Sequence, residues 1–138
     1  MSGPKTYWDA RERMQCFLDT MKEYELPVTE HQMFYGDYWY NMGAQACDWF
    51  LAEDEMPEVI MCANDHMALA VVSELIKRGI RVPEDICVSG YDGLLETLSF
   101  TPAITTMRVP FQKMGKQRPY RMHIPDASNV LSGRYQSA

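Results

Sequence analysis

Three aspartates, Asp37, Asp65 and Asp92, each stand just beyond a short apolar or aromatic run of the kind that forms a strand. If those runs are neighbouring strands, the three carboxylates meet at one edge of a sheet. Such carboxylates can carry acid–base chemistry, accept hydrogen bonds from a ligand, or cap the next helix. Asp65 opens a helical pattern, so a helix cap is its first reading and ligand contact its second. Asp92 has no clear helix to cap, and ligand contact comes first there. Asp37 reads as a turn residue. Asn64 offers both a donor and an acceptor at a strand end, which suits a ligand hydroxyl. Arg13 lies away from the apolar stripe of its helix and, on residue type alone, is a solvated charge. Tyr38 and Trp39 follow Gly36-Asp37 and can stack on a ligand or pack in a core.

Other chemistries lack support. No Ser/His/Asp or Cys/His arrangement, P-loop or Gly-x-Gly-x-x-Gly occurs, so no residue is assigned a catalytic role. Cys16, Cys47, Cys62 and Cys87 are scattered without a CxxC pair, and His31, His66 and His123 do not cluster with them. They read as small hydrophobes in a reducing compartment, with no metal and no cofactor.

The elements that would position these residues follow from the spacing of apolar side chains. Val59–Ala63 and Ile86–Ser89 are short apolar runs, and Ala68, Val71 and Leu75 recur between them at helical spacing. Gly79 follows as a C-cap glycine. Strand, helix and strand in this order make a parallel pair, and strands without polar alternation suit a sheet buried on both faces. A second stripe on the same helix, Leu69, Val72 and Ile76, is either more core or a subunit interface. Upstream, a Thr6–Asp9 capping box should open a helix carrying Met14, Phe17, Leu18 and Met21. Glu30–Tyr35 can form a short strand, and Asn41 can cap a helix with Met42, Ala46, Trp49 and Phe50 inward. Ile104–Val109 reads as the last strand, ended by Pro110. The fold class is α/β: a Rossmann-like, open, mostly parallel sheet with flanking helices, whose ligands sit outside the carboxyl ends of the strands.

Composition narrows the partners. The chain has 138 residues, 46% of them hydrophobic, and a net charge of −6. Such a charge argues against a nucleic-acid surface of its own. No apolar run approaches the roughly 20 residues that span a bilayer, and the first residues lack the apolar core of a signal peptide. A cytoplasmic location is expected.

The run PEVIMCANDHMALAVVSELIKRGIRVPEDICVSGYDG, followed by TPAITTMRVPFQKMG, resembles the effector-binding domain of LacI/GalR-type bacterial transcription regulators. Gly3-Pro4 and ARERMQCF look like that family's Gly-Pro turn and Arg-x-x-Gly-Phe helix, with Cys16 in the usual place of glycine. The resemblance implies one lobe of a two-lobed, type I periplasmic-binding-protein-like fold, with the effector held between lobes. Residues 1–109 would then be a partial C-terminal lobe and 110–117 the crossover to the other lobe. Residues 118–138 would be an irregular, poorly ordered tail, read as out of frame after about Gln117. The strand expected before Gly3-Pro4 would be missing. By the same resemblance Arg13 and Tyr38 would face the effector, a sugar or related small metabolite, together with Asn64 and Asp92 at the strand ends, and Phe111, at the crossover, would wall the cleft. A homodimer would form, with Leu69, Val72 and Ile76 as its candidate surface. DNA would be bound only through a headpiece that this chain lacks. A fragment of a sugar-binding protein of an ABC transporter is the alternative; an enzyme has only analogy of fold behind it.

Overall fold

The structure, a computed structural model, describes residues 1–117 apart from Asp54. The expectations for the tail at 118–138 lie outside the described residues. Three strands, β1 (Val59–Met61), β2 (Cys87–Asp92) and β3 (Thr105–Arg108), form a parallel sheet in the order β1-β2-β3. Val59 pairs with Cys87 and Met61 with Ser89; on the other side Ser89 pairs with Thr105 and Asp92 with Arg108. Helix α3 (Asp65–Lys77) connects β1 to β2, and the short α4 (Leu95–Ser99) connects β2 to β3. Strand β2 runs further than its apolar stretch because Gly90, Tyr91 and Asp92 find partners in Thr106, Met107 and Arg108. The register thus brings Asn64, Asp65 and Asp92 to one edge.

Two stretches depart from the sequence expectation beside β1. Glu30–Gln32 is a 3-10 turn rather than part of a strand, held by Thr29 and Gln32, whose side-chain oxygen accepts from the Thr29 N–H at 2.8 Å. Only Tyr35 makes a parallel bridge, and its partner is Ser2. Met1 and Ser2 fill the place where a further strand would run. The Met1 amine donates to Met61 O at 2.6 Å and its carbonyl accepts from Ala63 N at 3.0 Å, while Ser2 N donates to Phe34 O at 2.8 Å. Burial pushes the pKa of that amine down.

The core lies between the sheet and two helices. Met67, Ala68, Val71, Val72 and Leu75 of α3 are fully buried, with Ala46, Cys47 and Phe50 of α2 (Gly43–Phe50) and Ile60, Ile86 and Val88 of the strand segments. The two helices approach so closely that a Cβ on Gly43 would lie 2.7 Å from the Ala70 carbonyl oxygen. Of the two readings of the second stripe, more core describes Leu69 and Val72, which are buried within the chain, while Ile76 is 44% exposed. Gly79, at φ +78°, ends α3 in a Schellman motif, with Gly79 N on Ile76 O and Ile80 N on Leu75 O. The corner after it is held by Arg81, whose N–H donates to Asp85 at 2.8 Å. That contact accounts for the Arg-x-x-x-Asp spacing.

The expected N-terminal helix caps do not form. Helix α1 (Trp8–Glu23) starts after Tyr7 with no side-chain cap, because the Asp9 carboxylate accepts from Tyr38 instead. A 3-10 turn at Tyr40–Met42 precedes α2, and the Asn41 amide donates to Asp37 at 2.8 Å rather than capping. Asp37 also accepts from Trp39 N, so it is the turn residue expected.

The sheet is not buried on both faces. Val59 and Met61 alternate with buried Ile60, and Val59, Met61 and Met107 are each more than half exposed. The physical reason is that the packed helices α2 and α3 lie on one side, while α1 reaches the other side at Tyr91 through Arg13.

The cysteines divide in two. Cys47 and Cys62 are buried, and burial pushes each thiol up to about 11, whereas Cys16 and Cys87 are exposed. Since the thiolate is the reacting form, a disulfide-exchange dye should titrate two thiols promptly in the folded protein and all four in denaturant. Prompt reaction of all four without denaturant would contradict this packing.

A candidate ligand site at the carboxyl edge of the sheet

Four segments meet where β1 and β2 end. Arg13 reaches in from α1: its Nη1 donates to Ala63 O at 2.5 Å, and its guanidinium carbon lies 4.3 Å from the centroid of the Tyr91 ring. The cation is therefore placed by a carbonyl and an aromatic face rather than by solvent alone. Asp9, one helical turn earlier, stands 3.9 Å from Arg13 Nη2 and accepts from the Tyr38 hydroxyl at 2.8 Å. Tyr38 follows the Gly36-Asp37 turn at φ +72°, and its ring rests directly over Gly3, where a Cβ would come within 2.2 Å of it. Burial first, and then the bond to Asp9, push its phenol up to about 12.

Asn64 joins Tyr38 to α3. Its amide nitrogen donates to Tyr38 O at 2.9 Å, and its oxygen accepts from Met67 N at 3.0 Å. Asn64 is thus the N-cap of α3, a role the sequence reading gave to Asp65. Asp65 is one residue too far along and fully buried, where it accepts from Leu94 N at 2.7 Å and from Thr106 Oγ1 at 2.5 Å.

Asp92 ends β2 at φ +124°. Burial raises its carboxyl above the ordinary range and Asp65 adds to the effect, while Arg13 and His66 oppose it. No donor among the described residues meets its carboxylate, which leaves it open to a ligand. His66 extends the edge: its ring stacks on Trp39 at 5.7 Å and 12° and meets Tyr40 at 4.8 Å.

Of the residues singled out from sequence, Arg13, Tyr38, Asn64 and Asp92 come together. Phe111 is 56% exposed at the start of α5 (Phe111–Gln117), two residues beyond Val109, whose N–H donates to Asp92 O. Sequence reasoning missed Asp9, Tyr91 and His66. The spacing of four between Asp9 and Arg13 was a usable signal for a shared helix face; nothing in the sequence marked Tyr91 as the platform for Arg13. Among the described residues no group of three or more His, Cys, Asp or Glu could hold a metal ion. No helix among them is long and apolar enough to cross a membrane. The assembly offers a fixed cation, an open carboxylate and several ring faces, which suits a small ring-shaped molecule bearing N–H or O–H groups.

Residues 1–118 match the periplasmic binding protein-like domain. The chain belongs to that family. Within it the chain resembles the LacI-type effector-binding domains. Over 116 residues it is 38% identical to the HTH-type transcriptional repressor PurR of Vibrio cholerae serotype O1, covering 84% of this chain and 34% of that protein. The repressor of the same name from Photorhabdus laumondii is 34% identical over 114 residues, 83% of this chain and 33% of that protein. The chain thus spans about a third of the length of the curated relatives it matches. Among solved structures, the Lac repressor bound to ONPG in the repressed state aligns with a TM-score of 0.74 at 29% identity, over 83% of this chain and 34% of that one. A LacI-family sugar-binding regulator from Escherichia coli, complexed with phosphate, is alike in fold, with a TM-score of 0.78 at 23% identity over 83% of this chain and 41% of that one. A parallel sheet with flanking helices, of the periplasmic-binding-protein-like kind expected from the sequence, is the fold.

Proposed function

We propose that this chain is part of the effector-sensing domain of a LacI-type transcriptional regulator. In the whole protein, effector binding would bias the equilibrium between DNA-binding states. The observation that carries the reading is the meeting of Arg13, Tyr38, Asn64 and Asp92 at the carboxyl edge, with the Asp92 carboxylate open. Cytoplasmic residence, a homodimer, and DNA contact through a separate headpiece belong to the same reading. The transporter alternative is not favoured, because the curated relatives are repressors.

The effector we infer is purine-related rather than the sugar named from sequence. The relatives called PurR support it. So does the chemistry: a planar heterocycle can lie against Tyr38 or Tyr91 while its ring N–H groups are read by a carboxylate. In this reading the described residues supply one side of the cleft, so binding to them alone should be weak. Titrating the labelled chain with hypoxanthine, and separately with a hexose, tests this by amide NMR shifts. Hypoxanthine should move the signals of Tyr38, Asn64 and Asp92, and Asp92→Ala should weaken it about 10- to 100-fold, the worth of a charge-assisted bond. Because the Asp92 pKa is raised, affinity should fall on acidification at a pH above the usual aspartate range of about 3.9. A response to the hexose alone would return the effector to the sugar class, and no response to either would remove the site.

A further inference from the structure

We propose that Asp65 is a positioning residue, fixing the backbone corner that presents Asp92 without itself touching the ligand. The proposal rests on the reading of Asp92 as a ligand contact. Asp65 is fully buried, and both of its oxygens are engaged by the segment that follows Asp92. One accepts from Leu94 N at 2.7 Å and the other from Thr106 Oγ1 at 2.5 Å. The Thr106 hydroxyl in turn accepts from Gly93 N at 3.2 Å. One donor and two lone pairs allow that hydroxyl both roles. Both amides after Asp92 are therefore held, one by Asp65 directly and one through β3.

The corner needs such a hold. Asp92 at φ +124° and Gly93 at φ +73° stand in a region that side chains rarely adopt, and such backbone persists only where its surroundings over-determine it. The strand makes room for the clamp, since a Cβ on Gly90 would lie 2.2 Å from Asp65 Oδ1. The same carboxylate adds a negative charge beside Asp92, while Arg13 from α1 and His66 from α3 oppose it.

The experiment uses the full chain without ligand, so its outcome is separate from that of the effector reading. In Asp65→Asn and in Thr106→Val, carbon NMR of the carboxyl groups follows the titration of Asp92, and hydrogen exchange follows Gly93 and Leu94. Amides of Val71 and Leu75 serve as controls for the fold. In Asp65→Asn the Leu94 amide should exchange at least tenfold faster with the controls unchanged, and the Asp92 midpoint should fall. Thr106→Val keeps the charge of Asp65, yet it should also speed Gly93 exchange and move the Asp92 midpoint. If Asp65→Asn does not fold, Thr106→Val decides alone. An Asp92 titration unaltered in Thr106→Val would overturn the proposal and leave Asp65 a charge neighbour only. Equal loss of protection at the corner and the controls would overturn it too, making Asp65 a residue of general stability.

Discussion

Leu75→Ala is expected to lower the unfolding free energy by about 2–5 kcal/mol, the range for emptying a buried leucine site. Leu75 is fully buried on α3 and belongs to the one core cluster shared by the sheet, α2 and α3. Alanine is a good helix former, so none of the loss comes from helix propensity. The side chain leaves a cavity that strands and helices cannot both follow inward. Domains of this kind are stable by about 5–15 kcal/mol in all, so the variant should lose a large part of its margin. Urea unfolding followed by tryptophan fluorescence measures it. A loss below about 1 kcal/mol would mean that α3 is not packed as described.

Gly90→Ala should cost about 3 kcal/mol, by a different route. The new methyl would lie 2.2 Å from Asp65 Oδ1 and 3.3 Å from Ala68 Cβ. Overpacking of this kind costs about 1–3 kcal/mol. Pushing a buried carboxylate off its donors adds about 1–3 kcal/mol for each polar group left unpaired. Because the tightest contact is with one side chain's carboxylate, shortening that side chain should relieve part of the cost. Gly90→Ala combined with Asp65→Ser is therefore expected to be more stable than the sum of the two single changes allows. Strict additivity in that cycle would place the clash elsewhere.

These expectations rest on how the chain encodes its frame. The βαβ unit from Val59 to Asp92 was readable because its apolar period, its C-cap glycine and its short strands all pointed the same way. The N-terminal helix caps were not. Thr6, Asp9, Asn41 and Asp65 are all good cap residues by type, but other partners, local for Asn41 and distant for Asp9 and Asp65, recruited three of their side chains. Asp9 went to Tyr38, Asn41 to Asp37 and Asp65 to Leu94 and Thr106, while Asn64 capped α3. A polar side chain bonds whichever group the fold brings near, and that is set by contacts some 30 residues away in sequence for Tyr38–Asp9 and Asp65–Leu94. For the candidate site, residue type and place at a strand end were enough to single out Asn64 and Asp92. Family resemblance was needed for Arg13 and Tyr38.

The half-open sheet bears on how the molecule behaves in concentrated solution. Val59, Met61 and Met107 make an adhesive plane, and β3 beside it is the edge strand of the sheet. What holds copies apart is the net charge of −6, a long-range repulsion that weakens as salt shortens its reach to about 8 Å at physiological ionic strength. Colloidal stability is then a contest between a short-range sticky face and a screened charge. The same salt that quiets the carboxylates lets those faces meet.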